Sequence, residues 1–329
     1  MSALFLFLPL ILIQFMRLLK IILLAILSVL TGALFIYSAY TKLYSLESFE
    51  RFQYTIVEYV HLPWWLAVHC SRILTGMEGA LGILIAAHLF GKSKWILSIA
   101  IWLLVAFSIY LVYLWAAVGN DINCGCFGDK IWMSPASSLV KNIIMIAVIL
   151  VIKRYHTGFS FRWTRWAVPL VFLGFTFSTY AIFPLPATQP DWLKKDKYKI
   201  DLSALYAPGK ADAPKTDLYK GKHVIAFFSL TCPHCKMAAY KMHVMKKKNP
   251  SLPFHIVYAG NSRHLDEFWK DTQAESMPHT RLQADDFTNI AGFSWPAIFL
   301  VNDGWVEGQT NYVSMSQAEI EKWLAAPSK

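Results

Sequence analysis

The chain has 329 residues, of which 56% are hydrophobic and only 16% are charged, and its formal net charge is +10. So few charges exclude an ordinary soluble enzyme of this length, and the long apolar runs up to about Pro186 predict a membrane half followed by a soluble half. The positive charge fits basic residues at cytoplasmic helix ends and contact with anionic lipid. Nucleic-acid binding is disfavoured, because no basic stretch alternates with aromatic residues.

Five apolar segments each have close to the ~20 residues that a helix needs to cross a bilayer. They are residues 21–41, 65–90, 95–117, 135–152 and 166–183. The apolar stretch 3–13 is too short to span, so residues 1–20 are predicted to form a re-entrant or interfacial lead-in, and Met16 is an alternative start. The first four spans then form one domain over residues 21–153, and a cytoplasmic loop and the fifth span occupy residues 154–185.

The basic residues predict the orientation of these spans. A five-span topology places the following lysines and arginines on one side: Arg17, Lys20, Lys92, Lys94, Lys153, Arg154, Arg162 and Arg165. The opposite loops, 42–64 and 119–134, have few basic residues. By the positive-inside rule, the N-terminus lies in the cytoplasm and everything after Pro184 lies outside. We therefore expect a multi-pass protein of a bacterial inner membrane with a periplasmic C-terminal domain.

The soluble half begins with a proline-rich stretch, which predicts a semi-extended linker over residues 186–214. Residues 215–329 predict an α/β domain. Strands are expected at 223–230, 253–259, 297–302 and 305–309, and helices at 236–248 and 316–325. Asp303-Gly304, between the last two strands, is a signal for a hairpin turn.

A C-x-x-C motif, Cys232-Pro233-His234-Cys235, follows the first of these strands directly. Two cysteines on the first turn of a helix can form an easily reversed disulfide, and the helix N-terminus stabilises a thiolate at Cys232. Pro233 suits the first helical position, and His234 adds positive charge or a hydrogen bond. Cys235 would then resolve a mixed disulfide. The alternative is half a zinc site, but the domain has no second C-x-x-C.

The domain resembles the thioredoxin superfamily. The matching pieces are Gly221-Lys222 before an apolar strand, Phe227-Phe228-Ser229, the C-x-x-C motif, and Trp295-Pro296 before a later strand. The connection resembles that of membrane-tethered TlpA-type domains, and the Pro-His dipeptide resembles the oxidase DsbA. The resemblance implies a cis Pro296 against the disulfide, with the Trp295 backbone pairing with substrate. The sequence departs from the family at Ala226, where an acidic residue is common, and at Thr231, where tryptophan is usual.

A second cysteine pair, Cys124-Gly125-Cys126, lies in the outer loop between the third and fourth spans. The glycine supplies the backbone freedom that a strained, oxidising ring needs. Lys141 follows in the next span and can help to stabilise a thiolate. A permanent structural disulfide, two unrelated cysteines and a metal-binding pair remain as alternatives.

The membrane half resembles the MauE branch of the DoxX-like membrane proteins over about residues 21–152. The pieces that match are Ser38-Ala39-Tyr40-Thr41-Lys42-Leu43, Glu78-Gly79-Ala80-Leu81-Gly82, Cys124-Gly125-Cys126-Phe127-Gly128 and Lys141-Asn142. The resemblance implies a link to the maturation of methylamine dehydrogenase, a disulfide-rich periplasmic enzyme, and to quinone-coupled electron transfer.

Glu78 is an ionisable residue at membrane depth, and such residues are often functional. It shares a helical stripe with Ser71, Thr75 and Gly82, which we expect to face the bundle interior. Glu78 would serve a proton relay or contact a quinone headgroup, or else it would be a structural hydrogen-bond centre. Cys70, in the same segment, is either a third thiol of the pathway or a packing residue.

Together these features predict a membrane-bound thiol–disulfide oxidoreductase. The Cys232/Cys235 dithiol would exchange with exported cysteine-containing proteins, and the Cys124/Cys126 dithiol would exchange with the first pair and with a membrane acceptor, for which quinone is a candidate cofactor. No metal site is expected. The alternatives are an assembly factor for a disulfide-rich periplasmic enzyme, such as a methylamine dehydrogenase, and a metal chaperone.

Overall fold

A computed structural model describes residues 2–91, 94–129, 131–159, 162–185 and 193–327. The chain divides into two compact units, Met1–Pro184 and Leu185–Lys329. The first is helical and the second is built on a mixed β-sheet. Lys92, Pro186 and Pro190, which contributed to the topology and linker predictions, lie outside the described residues.

The helical unit contains six α-helices and one short strand among its described residues. In chain order these are α1 (Ser2–Leu43), α2 (Leu46–Tyr59), α3 (Trp64–Ala86), α4 (Trp95–Val118), β1 (Cys126–Asp129), α5 (Pro135–Tyr155) and α6 (Thr164–Ile182). The predicted lead-in is not a separate element. Helix α1 runs straight through it, because residues 15–20 are mostly good helix formers.

Three helical segments in the described part of the chain are long and apolar enough to cross a membrane: Gln14–Leu43, Trp95–Val118 and Pro135–Tyr155. They correspond to the first, third and fourth of the five predicted spans. Helix α3 has 23 residues but carries Arg72 and Glu78, which reduce its hydropathy. Helix α6, in the fifth predicted span, has 19 residues, and Trp166–Ile182 is its apolar part.

Helix α2 lies where the sequence analysis placed only a loop. Its 14 residues are amphipathic, and Phe49, Tyr54 and Val57 are almost fully buried. Ser45 caps its N-terminus by accepting a hydrogen bond from the Ser48 amide at 3.2 Å. Because the helix alternates buried aromatic residues with acidic ones, its sequence lacks the uniform hydropathy by which the spans were identified.

Helices α1 and α3 approach each other closely at two glycines. A Cβ atom on Gly32 would lie 2.5 Å from the carbonyl oxygen of Gly82, so neither position leaves room for a side chain. Ser28 of α1 donates a hydrogen bond to the Ile85 carbonyl of α3 at 2.8 Å. The polar stripe of α3 is buried as expected, with Thr75 and Glu78 at most 3% exposed.

The α/β unit has a six-stranded sheet in the order β2-β7-β6-β3-β4-β5. The strands are β2 (Leu193–Lys199), β3 (Lys222–Ser229), β4 (Phe254–Ala259), β5 (His279–Arg281), β6 (Ala297–Asn302) and β7 (Trp305–Thr310). The helices are α7 (Pro233–Lys248), α8 (Leu265–Thr272), α9 (Ala284–Ala291) and α10 (Gln317–Ala325). Strand β3 pairs in parallel with β4 and antiparallel with β6, so the C-x-x-C motif follows a central strand.

Two sequence expectations for this unit have different outcomes. The hairpin is confirmed, since Asp303 and Gly304 have φ of 49° and 78° between the paired strands β6 and β7. The linker prediction for residues 186–214 was wrong in part, because β2 pairs antiparallel with β7. Strand β2 is lysine-rich and lies at the sheet edge, where charged side chains remain in solvent, so its sequence resembles a polar linker.

Candidate functional site

The C-x-x-C motif opens helix α7, with Cys232 as its N-cap and Pro233 in its first turn. The Cys235 amide donates a hydrogen bond to the Cys232 sulfur at 3.3 Å. Cys232 is partly exposed, whereas Cys235 is fully buried, so only the first sulfur is accessible to a partner. This asymmetry fits an attacking Cys232 and a resolving Cys235.

The two thiols differ in pKa for physical reasons. A hydrogen bond from the Cys235 thiol lowers the pKa of Cys232 to about 6 against the opposing effect of partial burial, and the Cys235 amide and the charge of His234 lower it further. Burial, followed by the hydrogen bond to Cys232, raises the pKa of Cys235 far above its ordinary range. At neutral pH the reduced pair therefore carries one thiolate, on Cys232.

The loop before β6 lies against Cys232. The Trp295–Pro296 peptide bond is cis, as the resemblance implied, and the Cys232 sulfur lies 3.9 Å from the Trp295 carbonyl oxygen. The Trp295 indole donates to the Gly292 carbonyl at 2.9 Å, which fixes the loop. The exposed His234 ring stacks on Tyr312 with a centroid separation of 4.8 Å. The structure thus brings together the six residues predicted for this site, which are Cys232, Pro233, His234, Cys235, Trp295 and Pro296.

The second pair lies in the helical unit, in the loop between α4 and α5. Cys124 is 3% exposed, and its sulfur lies 2.9 Å from the Ser138 hydroxyl oxygen of α5. The Cys126 amide donates to the Cys124 sulfur at 3.4 Å, and Cys126 itself is half-buried. All five cysteines of the chain are free thiols in this structure.

This pair shows the same asymmetry of pKa as the first. The hydrogen bond from the Cys126 thiol, supported by those from Ser138 and the Cys126 amide and by the charge of Lys141, lowers the pKa of Cys124 to about 6 despite its burial. The hydrogen bond to Cys124 and then burial raise the pKa of Cys126 well above its ordinary range. The predicted contribution of Lys141 is electrostatic, and its ammonium group lies 4.5 Å from the centroid of the Phe127 ring.

The sequence analysis missed Lys42 as part of this site. Lys42 is 2% exposed, and its ammonium group donates to Glu78 Oε2 at 2.8 Å and to the Cys126 carbonyl oxygen at 2.8 Å. Glu78 therefore reaches the C-G-C loop through a buried lysine. A signal was available, because a carboxylate at membrane depth needs a cationic partner and Lys42 ends the first span.

A cavity of about 640 Å³ adjoins the C-G-C loop inside the helical unit. Its walls are mostly apolar side chains of α1 to α5, and Cys124, Cys126 and Lys141 are among its polar lining groups. The hydroxyl of Tyr110, another lining residue, is buried and has no hydrogen-bond partner among the described residues. Cys126 thus lines a cavity that is large enough for a small molecule.

Cys70 is not brought to either pair by any interaction that the structure describes. It is half-buried on α3, next to His69, which lies 2.8 Å from the Tyr180 hydroxyl, and close to Arg72, which donates to the Phe183 carbonyl at 2.7 Å. Within the described residues, no group of three or more histidine, cysteine or acidic side chains could hold a metal ion.

The chain combines a helical membrane unit with a thioredoxin-like α/β unit, and each unit holds one pair of free cysteines, of which one residue is buried and the other partly exposed. These features define a membrane protein of the thiol–disulfide oxidoreductase type. Residues 20–153 match the family described as Methylamine utilisation protein MauE, so the helical unit contains a MauE-type membrane domain. The chain is also similar to the protein TlpB of Flavobacterium psychrophilum, with 28% identity over 80% of this chain and 84% of that protein.

Solved structures similar to this chain match about a third of it. A secreted Mycobacterium tuberculosis disulfide oxidoreductase homologous to E. coli DsbE is 20% identical, with a TM-score of 0.26 over 32% of this chain and 81% of that one. StoA from Bacillus subtilis is 16% identical, with a TM-score of 0.29 over 40% of this chain and 98% of that one. The thioredoxin domain of a thiol-disulfide oxidoreductase from Bacteroides vulgatus is 12% identical, with a TM-score of 0.29 over 39% of this chain and 94% of that one.

Proposed function

We propose that the protein relays electrons between exported proteins and the membrane through its two dithiols. The observation that carries this proposal is the shared asymmetry of the pairs, each of which has one sulfur with a pKa of about 6 and one with a raised pKa. A structural disulfide has no need of a stabilised thiolate, whereas thiol–disulfide exchange does. In this proposal both pairs lie on the periplasmic side of the inner membrane.

The relay runs in two exchanges when the protein oxidises its client. A client thiolate attacks Cys232 of the Cys232–Cys235 disulfide, that bond breaks, and Cys235 leaves and takes a proton. The second client thiolate then attacks the mixed disulfide and releases the Cys232 thiolate. The client has lost two electrons and now holds a disulfide, while the Cys232/Cys235 pair is reduced.

The second exchange regenerates the first pair. The Cys232 thiolate attacks the Cys124–Cys126 disulfide, and one membrane sulfur leaves as a thiolate. Cys235, after losing its proton, then attacks Cys232 of the mixed disulfide, the second membrane sulfur leaves with the electron pair of that bond, and the Cys232–Cys235 disulfide is closed again. The two electrons then reside on Cys124 and Cys126. A lipid-soluble two-electron acceptor of the quinone class would collect them together with two protons, and the apolar cavity beside Cys126 supports such an acceptor.

The direction of net oxidation is supported by the thiolate at Cys232. Stabilising the thiolate stabilises the reduced form of the pair, and this makes its disulfide a stronger oxidant. The low pKa of Cys232 and the Pro-His dipeptide of the motif both favour that direction. Exported proteins with paired cysteines are then the substrates.

A trapping experiment tests the relay. The Cys235→Ser variant cannot resolve a mixed disulfide at Cys232, so cells expressing it are quenched with acid, their free thiols are blocked, and disulfides are mapped by mass spectrometry. We expect a Cys232 disulfide to Cys124 or Cys126. The relay would be refuted by capture of foreign proteins alone together with a Cys124–Cys126 disulfide that resists reductant, and the protein would then be a tethered thioredoxin-like domain on a structural membrane anchor.

A further inference from the structure

The buried ion pair of Lys42 and Glu78 directly contacts the backbone of the membrane dithiol. The Lys42 ammonium group donates to the Cys126 carbonyl and to Glu78 Oε2, each at 2.8 Å, and to the Ser38 hydroxyl oxygen at 2.9 Å. The two charged side chains are 2% and 4% exposed. The Cys126 carbonyl also lies 3.0 Å from the Ser38 hydroxyl, so two side chains of α1 hold it.

The rest of the loop is pinned to the same end of α1. Gly128 has φ of 62°, and a Cβ atom there would lie 2.9 Å from the Thr41 carbonyl oxygen. The Phe127 ring lies 5.9 Å from the ring of Tyr37 on the same helix. Backbone and side-chain contacts therefore fix Cys126 relative to α1, while the Cys124 sulfur is held by Ser138 of α5. The two sulfurs are positioned by different helices.

A buried ion pair contributes little net stability to the packing of two helices. Desolvation of the two charges offsets most of their attraction, and apolar replacements of such pairs are often neutral or stabilising. The position of this pair is therefore informative: Lys42 contacts the C-G-C loop directly, and Glu78 of α3 contacts Lys42. Lys42 thereby holds the Cys126 carbonyl in the loop that an incoming thiolate would attack.

We infer that the Lys42–Glu78 ion pair is a positioning device that presents Cys126 as the sulfur attacked by the incoming thiolate, with Cys124 as the leaving sulfur. This inference rests on the proposed redox role of the C-G-C pair. As a residue, Cys126 is the more exposed of the two, and both cysteines line the cavity. Cys124 is 3% exposed, and its hydrogen bond to Ser138 and the charge of Lys141 stabilise it as a thiolate.

The exchange is balanced in atoms and electrons. The attacking thiolate forms a bond to Cys126 Sγ, the Cys124–Cys126 bond breaks, and the electron pair of that bond leaves with Cys124 as a thiolate. A second thiol of the partner, after losing its proton, attacks the mixed disulfide, and Cys126 departs and takes up a proton. Lys42 and Glu78 neither gain nor lose electrons in these steps, and their contribution is to orient Cys126.

The test uses the full chain in detergent with Cys232→Ser and Cys235→Ser, so that only the membrane pair can exchange, and glutathione as the probe thiol. In this background the double variant Lys42→Met, Glu78→Gln removes the ion pair without leaving an unpaired buried charge. Ser28→Ala is the matched control, because it removes a buried contact between α1 and α3 far from the loop. Circular dichroism and size-exclusion chromatography establish that each variant is folded.

We expect glutathione to be captured on Cys126 in the parent protein, as mapped by rapid acid quench and mass spectrometry. The double variant should reduce the rate of attack on Cys126 about tenfold and direct part of the captured glutathione to Cys124, because Lys42 no longer holds the Cys126 carbonyl in place. Ser28→Ala should change neither. A contact that served stability alone would leave both the rate and the site of capture in the folded protein unchanged.

Two results would overturn the inference while leaving the redox role of the pair intact: capture of glutathione on Cys124 in the parent protein, or a folded double variant with the rate and the site of capture of its parent. The first holds even if the double variant does not fold, because it is measured on the parent. A parent disulfide that glutathione cannot reduce at all would instead overturn the relay itself, and the inference with it.

Discussion

Replacing Cys235 by alanine should raise the pKa of Cys232 while leaving its position in the helix unchanged. The hydrogen bond from the Cys235 thiol is the largest cause of the low Cys232 pKa, and alanine cannot donate it. The Cys235 backbone amide, 3.3 Å from the Cys232 sulfur, and the charge of His234 remain. The pKa should therefore rise from about 6 but stop short of the ordinary cysteine value of about 8.5.

The size of the effect follows from the thiolate fraction. With a pKa of about 6, roughly nine-tenths of Cys232 is thiolate at pH 7. A rise to about 7.5–8 would leave roughly a tenth to a quarter, a loss of about four- to tenfold. The sign is fixed, since a thiol reacts as the thiolate above its pKa, so a higher pKa moves the reactive range to higher pH.

The assay is the pH dependence of iodoacetamide alkylation of the reduced full-length protein, followed on the Cys232 peptide by mass spectrometry. The midpoint is the quantity to compare, because the limiting rate itself rises as a thiol becomes more basic. Cys235→Ser is the matched control, since its hydroxyl keeps a donor and should keep a midpoint near that of the wild type. Equal midpoints in the alanine and serine variants would refute the hydrogen bond as the cause.

Two further predictions concern stability. Gly128→Ala should destabilise the helical unit by about 1–3 kcal/mol more than the control Gly91→Ala, as measured by thermal unfolding in detergent. Both glycines have φ near 60°, but only at Gly128 would the new Cβ meet the Thr41 carbonyl. Equal losses of stability in the two variants would contradict this close approach. Buried His255 has its pKa lowered to about 4, chiefly by burial, and lies 3.0 Å from the Thr280 hydroxyl oxygen. In the unfolded protein His255 takes up a proton below about pH 6.5, whereas in the folded protein it stays neutral down to about pH 4. The unfolding free energy should therefore fall by up to about 3 kcal/mol between pH 6.5 and 4. His255→Gln should reduce this pH dependence, as measured by hydrogen exchange on β3 and β4.

Local sequence signals were sufficient for much of the α/β unit. The apolar run that became β6 and the Asp303-Gly304 turn were located within a residue, since strand burial and left-handed turn residues are properties of a few consecutive positions. The position of Cys232 at a helix N-terminus was likewise predictable from Pro233 and the preceding strand. Strand β2 was not, because its pairing with β7 joins segments about a hundred residues apart.

In the helical unit, the sequence by itself determined that two cysteines flank a glycine in a loop between two apolar segments and that Glu78 lies on a buried polar stripe. Only the tertiary structure decided that Lys42 joins them. Lys42 is 36 residues from Glu78 and 84 from Cys126, so no local pattern could pair them. Helix packing at Gly32 and Gly82 and the turn at Gly128 bring these distant positions into hydrogen-bonding contact, because side-chain pairing across helices depends on the path of the whole chain.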